Sequence, residues 1–185
     1  FRTYNDGVSY RFIDGSKKSK LVFNEEMALT FPEGTLSYFP EEESFYSHNE
    51  RNYLKKTLDE IEKGAFCSLP VLFVTKNAKV LFTESALVDY PGMFLAKSSK
   101  NSMVSTFPKY VLKAVPNQES YPDRNQIIEK EADYIAKIDG KRSFPWRVFI
   151  ISDDDRTFVE SNLVASLADK SRITDTNWIK PGQVA

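Results

Sequence analysis

The brevity and spacing of its apolar runs constrain this chain most. Val8, Tyr10 and Phe12 alternate with Ser9, Arg11 and Ile13, the period of a half-buried strand, before Asp14-Gly15 turns the chain. Leu21 and Phe23 suggest a second strand, and Met27, Leu29 and Phe31, beyond Asn24, a third. The run PVLFVT at 70–75 is followed by Asn77 and then by Val80, Leu81 and Phe82, which reads as a hairpin. Met93–Ala96, Met103–Phe107 and Arg147–Ile151 are further candidates. Turn signals recur at roughly ten-residue intervals, the spacing of an all-β sandwich or barrel. The pattern therefore predicts an all-β, antiparallel fold with Val71, Phe73, Leu81, Trp146 and Phe149 buried between layers.

Two segments depart from that pattern. Asn49–Lys63 holds Tyr53, Leu54, Leu58 and Ile61 among charges at near-helical spacing, which suits a short surface helix or a long ordered loop. Asn125–Ile138 has helical propensity, yet Tyr134, Ala136 and Ile138 alternate, so its second half reads as a strand. One or two short helices are thus expected beside the sheets.

The charge balance narrows function. Lys and Arg total 25 against 26 Asp and Glu, a net charge of -1, so no basic face for nucleic acid is expected. Lys17, Lys18 and Lys20, near Gly15 and Ser16, read as a solvated turn. No apolar run approaches the length of a membrane span. The 185 residues, 41% hydrophobic, suffice for one well-packed domain.

Candidate chemistry is sparse. The single cysteine, Cys67, and single histidine, His48, exclude a metal site built from those two types. Cys67 reads as a small buried hydrophobe and His48 as a surface group. Glu41-Glu42-Glu43 reads as a solvated loop, and Asp153-Asp154-Asp155 as a turn closing a strong strand. Asp153–Asp155 could offer oxygens to a cation but lacks the glycine and glutamate positions of an EF-hand loop. Glu84 differs, because it ends an apolar strand in VLFTESALVDYPGM, where a rigid sheet presents polar groups to a ligand or partner.

Those residues carry a family resemblance. ESALVDYPGM, residues 84–93, resembles the motif in the N-terminal domain of glycoside hydrolase family 97, the bacterial α-glucosidases and α-galactosidases. FRTYNDGVSYRF at 1–12 looks like the family's strand with its Asp-Gly turn, and FPWRVFIISDDD at 144–155 like its Pro-Trp-Arg strand. DTNWIKPGQVA at 175–185 looks like the linker into the family's catalytic barrel. The four pieces stand in order and span nearly the whole chain.

The resemblance implies an antiparallel β-super-sandwich, galactose mutarotase-like, followed in the family by a (β/α)8 barrel and a C-terminal β domain. Residues 1–175 would be the later part of the sandwich, and 176–185 the start of the linker. Trp178 and Ile179, ahead of Pro181-Gly182, then read as a buried anchor on the way to another domain. The family's catalytic carboxylates lie on the barrel, so none is assigned here and this chain alone is expected to be inactive. One family residue carries over by motif match: Glu84, a glutamate of the sandwich that helps bind a calcium ion. In this chain by itself Glu84 is expected to be solvent-exposed or loosely paired. The implied partners are the barrel of the same polypeptide and an α-linked oligosaccharide, and the implied location is periplasmic or secreted in a bacterium.

Two rival readings stand beside it. A free-standing carbohydrate-binding or interaction module would expose an aromatic platform, for which Tyr38, Phe39, Phe45 and Tyr46 are candidates. An aldose epimerase-like enzyme shares the large sandwich but generally uses several histidines, against the single His48 here.

Overall fold

Val71 and Phe73 alternate with half-buried Leu72 and Val74, and this pattern seeds the fold's central hairpin. Strand Val71–Val74 pairs antiparallel with Lys79–Ser85, in register from Val71 opposite Phe82 to Val74 opposite Lys79. The structure, a computed structural model, describes residues 1–182. Residues 183–185, the end of the predicted linker, lie outside the described residues.

The hairpin grows into a sheet of seven strands among the described residues. Their order is Arg2–Tyr4, Gly7–Tyr10, Trp146–Ser152, Lys79–Ser85, Val71–Val74, Leu36–Phe39 and Leu54–Thr57. A second sheet runs Ala28–Thr30, Ser102–Thr106, Phe94–Ser99, Phe66–Cys67 and Glu41–Glu42. Every pairing is antiparallel in both sheets. Phe39, Val71, Phe73 and Phe82 of the first sheet join Cys67, Leu95 and Met103 of the second in one buried cluster. The fold is the all-β antiparallel sandwich that the sequence predicts.

Strand Trp146–Ser152 is covered on both faces. Trp146, Val148 and Ile150 pack with Leu163, Leu167 and Phe158 of the two short helices, Asp155–Glu160 and Leu163–Leu167. Phe149 packs against the inter-sheet cluster. Of the five residues predicted to lie between layers, Val71 and Phe73 do so. Trp146 is buried on the helix side instead, and Leu81 and Phe149 are only half-buried.

Several local expectations are corrected. The first strand ends at Tyr10, Phe12 is 51% and Ile13 70% exposed, and it is Ser9, opposite Val148, that is buried. Asn49–Lys63 contains an edge strand, Leu54–Thr57, and a 3-10 turn, Leu58–Glu60, rather than a surface helix or a long loop. The spacing of its apolar residues reflects a turn that buries Leu58 and Ile61 while Tyr53 and Leu54 stay outside. Gln126–Glu131 is a strand paired with Val111–Pro116, so cross-strand pairing overrides its helical propensity. Tyr134, Ala136 and Ile138 are buried as their alternation predicts, with Ala136–Ile138 paired to Lys20–Val22.

Glu41–Glu42 is also a strand, not a solvated loop. The Glu42 side chain is buried, and its Oε2 accepts from Ser47 Oγ at 2.6 Å and Arg51 Nε at 2.9 Å. These bonds outweigh the cost of burial and hold its carboxyl below the ordinary range. Asp154 goes beyond a turn by capping the Asp155–Glu160 helix, its Oδ1 accepting from Arg156 N at 3.0 Å. Trp178 and Ile179 are 67% and 52% exposed, so they are not a buried anchor in this structure.

Candidate functional site

Antiparallel register sets Glu84 directly opposite Arg147 at the end of the two central strands. Parity along the strands places Glu84 with Phe82, and Arg147 with Phe149, on the face toward the inter-sheet core. Beyond Ser85 the chain turns sharply. Ala86 and Asp89 take φ of 55° and 46°, left-handed conformations costing on the order of 1 kcal/mol each for non-glycine residues. The turn returns the Met93 N–H to Glu84 Oε2 at 3.1 Å.

Glu25 enters from the segment between strands Lys20–Val22 and Ala28–Thr30. The Arg147 guanidinium grips it with two parallel bonds, Nε to Oε1 at 2.7 Å and Nη2 to Oε2 at 2.6 Å. Its third corner, Nη1, donates to Glu84 Oε1. The guanidinium carbon lies 5.7 Å from the Phe107 ring centroid, a further contact that suits a buried cation. Arg147 has no exposed surface, Glu25 is 6% exposed and the Glu84 side chain is 11% exposed.

The cluster holds two carboxylates and one guanidinium, so with all three ionised it carries one uncompensated negative charge. Burial pushes the Glu84 carboxyl up, Arg147 and the Met93 N–H pull it down, Glu25 pushes it up again, and the net direction is upward. Burial works against the Arg147 charge, but its bond to Glu25 and the charges of Glu84 and Glu25 outweigh that and hold the guanidinium protonated. Tyr90 lies beside the cluster with a buried hydroxyl that makes no hydrogen bond. Burial first, and Glu25 second, drive its acidity down. A cavity of about 220 Å³ reaches Glu25 and Tyr90 between Phe12, Val22 and Phe144. Leu87 and Val88 form an exposed apolar lip, 46% and 62% exposed, and Arg142 bonds to the Val88 carbonyl.

Glu84 is therefore neither solvent-exposed nor loosely paired, contrary to expectation. The sheet supplies an arginine directly across the strand, and the following turn supplies a backbone donor. Sequence reasoning missed Glu25, and it read Arg147 only as part of a strand motif. A signal for Arg147 was present: a charged residue on an inward position within the apolar run WRVFII. Glu25 gave no comparable signal, since Glu25 and Arg147 are 122 residues apart.

Among the described residues, no three His, Cys, Asp or Glu side chains converge to hold a metal. Glu84 fits a hard cation as one ligand of a larger set. Each of its oxygens accepts one hydrogen bond and keeps a further lone-pair direction, and with all three groups ionised the cluster carries a negative charge.

The other candidate groups do not assemble into a site. His48 is exposed, with Nδ1 accepting from the Glu50 N–H at 3.0 Å. Cys67 is buried, which raises its thiol pKa and keeps it protonated. Of Tyr38, Phe39, Phe45 and Tyr46, only Tyr46 is exposed, at 42%. Phe39 is fully buried, Phe45 packs on Phe66 and Phe94 at 4.8 and 5.0 Å, and Tyr46 bonds to Glu131. No helix among the described residues is long and apolar enough to cross a membrane.

Comparison with known proteins bears on this geometry. Residues 1–169 match the family described as Glycosyl-hydrolase 97 N-terminal. The chain is 34% identical, over 199 aligned residues and all of its length, to a retaining alpha-galactosidase of Bacteroides thetaiotaomicron, of which it covers 29%. It is 26% identical over 98% of its length to a probable retaining alpha-galactosidase of Streptomyces bingchenggensis, of which it covers 24%. The chain thus spans less than a third of the length of these relatives. Among solved structures, a glycoside hydrolase family 97 enzyme from Pseudoalteromonas sp. strain K8 in complex with acarbose superposes with a TM-score of 0.76 at 17% identity. That match covers 97% of this chain and 24% of the enzyme. A variant of the enzyme in complex with panose gives 0.75 at 18% identity, with the same coverage.

Proposed function

Because this chain belongs to the glycosyl-hydrolase 97 N-terminal family, we propose that in its whole protein it braces a catalytic barrel and presents Glu84 to a calcium ion. The observation that carries this reading is the carboxylate of Glu84, held by Arg147 and the Met93 N–H at a strand end beside an exposed apolar lip. A bound calcium would polarise and position substrate oxygens. The chain's own residues do the supporting work. The two hydrogen bonds fix the carboxylate's direction, and Leu87 and Val88 offer apolar surface that an adjoining domain would cover, keeping water from the boundary.

Retaining glycoside hydrolysis needs a nucleophile and an acid about 5 Å apart. We assign neither to this chain and place both elsewhere in the whole protein. The two curated relatives, each named a retaining alpha-galactosidase or a probable one, support an α-galactoside as the substrate class.

The test measures whole-protein activity on an aryl α-galactoside against free calcium, for the native sequence and Glu84→Gln. The variant should need more calcium and reach a lower rate with its β-sheet circular dichroism unchanged. Superimposable calcium curves would refute the assignment of Glu84. An aryl α-glucoside cleaved faster than the α-galactoside would overturn the substrate class alone.

A further inference from the structure

We propose that Glu25 and Arg147 are positioning residues that set both the direction and the net charge of Glu84 for a divalent cation. This rests on the reading of Glu84 as a calcium ligand. Neither residue would touch the ion. Arg147 has no exposed surface and carries no acceptor, and Glu25 is occupied in compensating the guanidinium through both of its oxygens.

Charge arithmetic carries the inference. Arg147 paired with Glu84 alone would form a neutral couple, and a guanidinium bonded to Glu84 would repel an approaching cation. Glu25 removes that conflict. Its bidentate grip, at 2.7 and 2.6 Å, compensates the arginine, so that an ionised Glu84 keeps its negative charge for a cation. The arginine then acts as a fixed hinge pin between the two carboxylates. Its Nη1 holds Glu84 Oε1 while the Met93 N–H holds Oε2, so the carboxylate plane is set before any ion arrives.

Folding gives little reason for such a cluster. Apolar side chains of similar volume generally serve a core as well as buried charges do. With all three groups ionised, the one negative charge in excess would be offset by an outside cation. The shape of the strand end agrees. Glu84 is the most exposed member, its side chain 11% exposed against 5% for Glu25 and 0% for Arg147.

The experiment titrates calcium into the whole protein against a competing chelator dye, which reads affinity without activity. Native protein, Glu84→Gln, Glu25→Gln and the double variant Glu25→Gln/Arg147→Gln are compared, with thermal unfolding as the folding control. Glu25→Gln should weaken calcium binding about tenfold or more, because it leaves Arg147 to neutralise Glu84. The double variant returns the cluster to a single negative charge and should recover at least half of that loss on a logarithmic scale. A folded Glu25→Gln protein with native affinity would overturn the proposal, as would a double variant no better than the single one. If Glu25→Gln does not fold, the double variant decides. Affinity between those of the native protein and Glu84→Gln supports the proposal, because charge is restored without the Arg147 hold on Oε1, and affinity equal to either one overturns it. Should Glu84→Gln itself bind calcium as the native protein does, it is the reading of Glu84 that fails.

Discussion

Arg147 is the residue on which most of the site depends. Replacing it with methionine keeps much of its length but strands the carboxylates of Glu25 and Glu84 in a buried setting. We expect Arg147→Met to lose about 3–5 kcal/mol in urea unfolding, the usual cost of breaking one side of a buried ion pair. A loss below about 1 kcal/mol would mean that water reaches the cluster far more freely than its burial indicates. Glu42 gives a pH-dependent counterpart. Its folded carboxyl lies below the ordinary value of 4.5, so its stabilising contribution is complete above that value. The contribution is lost as pH falls through the depressed folded value. The stability gap between native protein and Glu42→Gln should therefore be widest near neutral pH, about 2 kcal/mol, and should close on acidification. Unfolding curves at several pH values check the sign, and a gap that widens toward acid would contradict it.

At the scale of single elements, strand Gly7–Tyr10 shows how tightly the sandwich and its helices meet. A Cβ on Gly7 would come within 2.1 Å of the Phe149 carbonyl oxygen and 2.9 Å of Leu163 Cδ2. The first contact is backbone in the neighbouring strand and cannot swing away. Gly7→Ala should cost about 2 kcal/mol or more by prising apart the Gly7–Ile150 register, which thermal unfolding would show. Gly15→Ala, with nothing within 4 Å of the added carbon, is the matched control and should unfold with the native protein. Elements whose apolar residues follow one simple period were legible from sequence. The hairpin of Val71–Val74 and Lys79–Ser85 is one, and the alternation of Tyr134, Ala136 and Ile138 is another. Leu54–Thr57 and Gln126–Glu131 were not, because each lies in a small or edge pairing where a distant partner strand, rather than its own periodicity, selects the extended state.

For the molecule as a whole, the exposed lip at Leu87 and Val88 makes a prediction about context. If an adjoining domain covers it, the amides of residues 86–89 should exchange hydrogen more slowly in the whole protein than in this 185-residue chain by itself. Equal exchange in the two would place the domain contact elsewhere. The same measurement should leave Phe73 and Leu95, deep between the sheets, unchanged. The sequence by itself determined the all-β class, the central hairpin, the burial of Cys67 and the family resemblance. Each of these is written in local order, as alternation, turn residues or a contiguous motif. Only the tertiary structure decided that Glu84 is held rather than free, that Glu42 is buried, and that Trp146 faces the helices instead of the second sheet. The reason is physical. Local periodicity says which face of a strand is apolar, but the partner that meets a charge on that face comes from remote parts of the chain, as Glu25 comes to Arg147 across 122 residues.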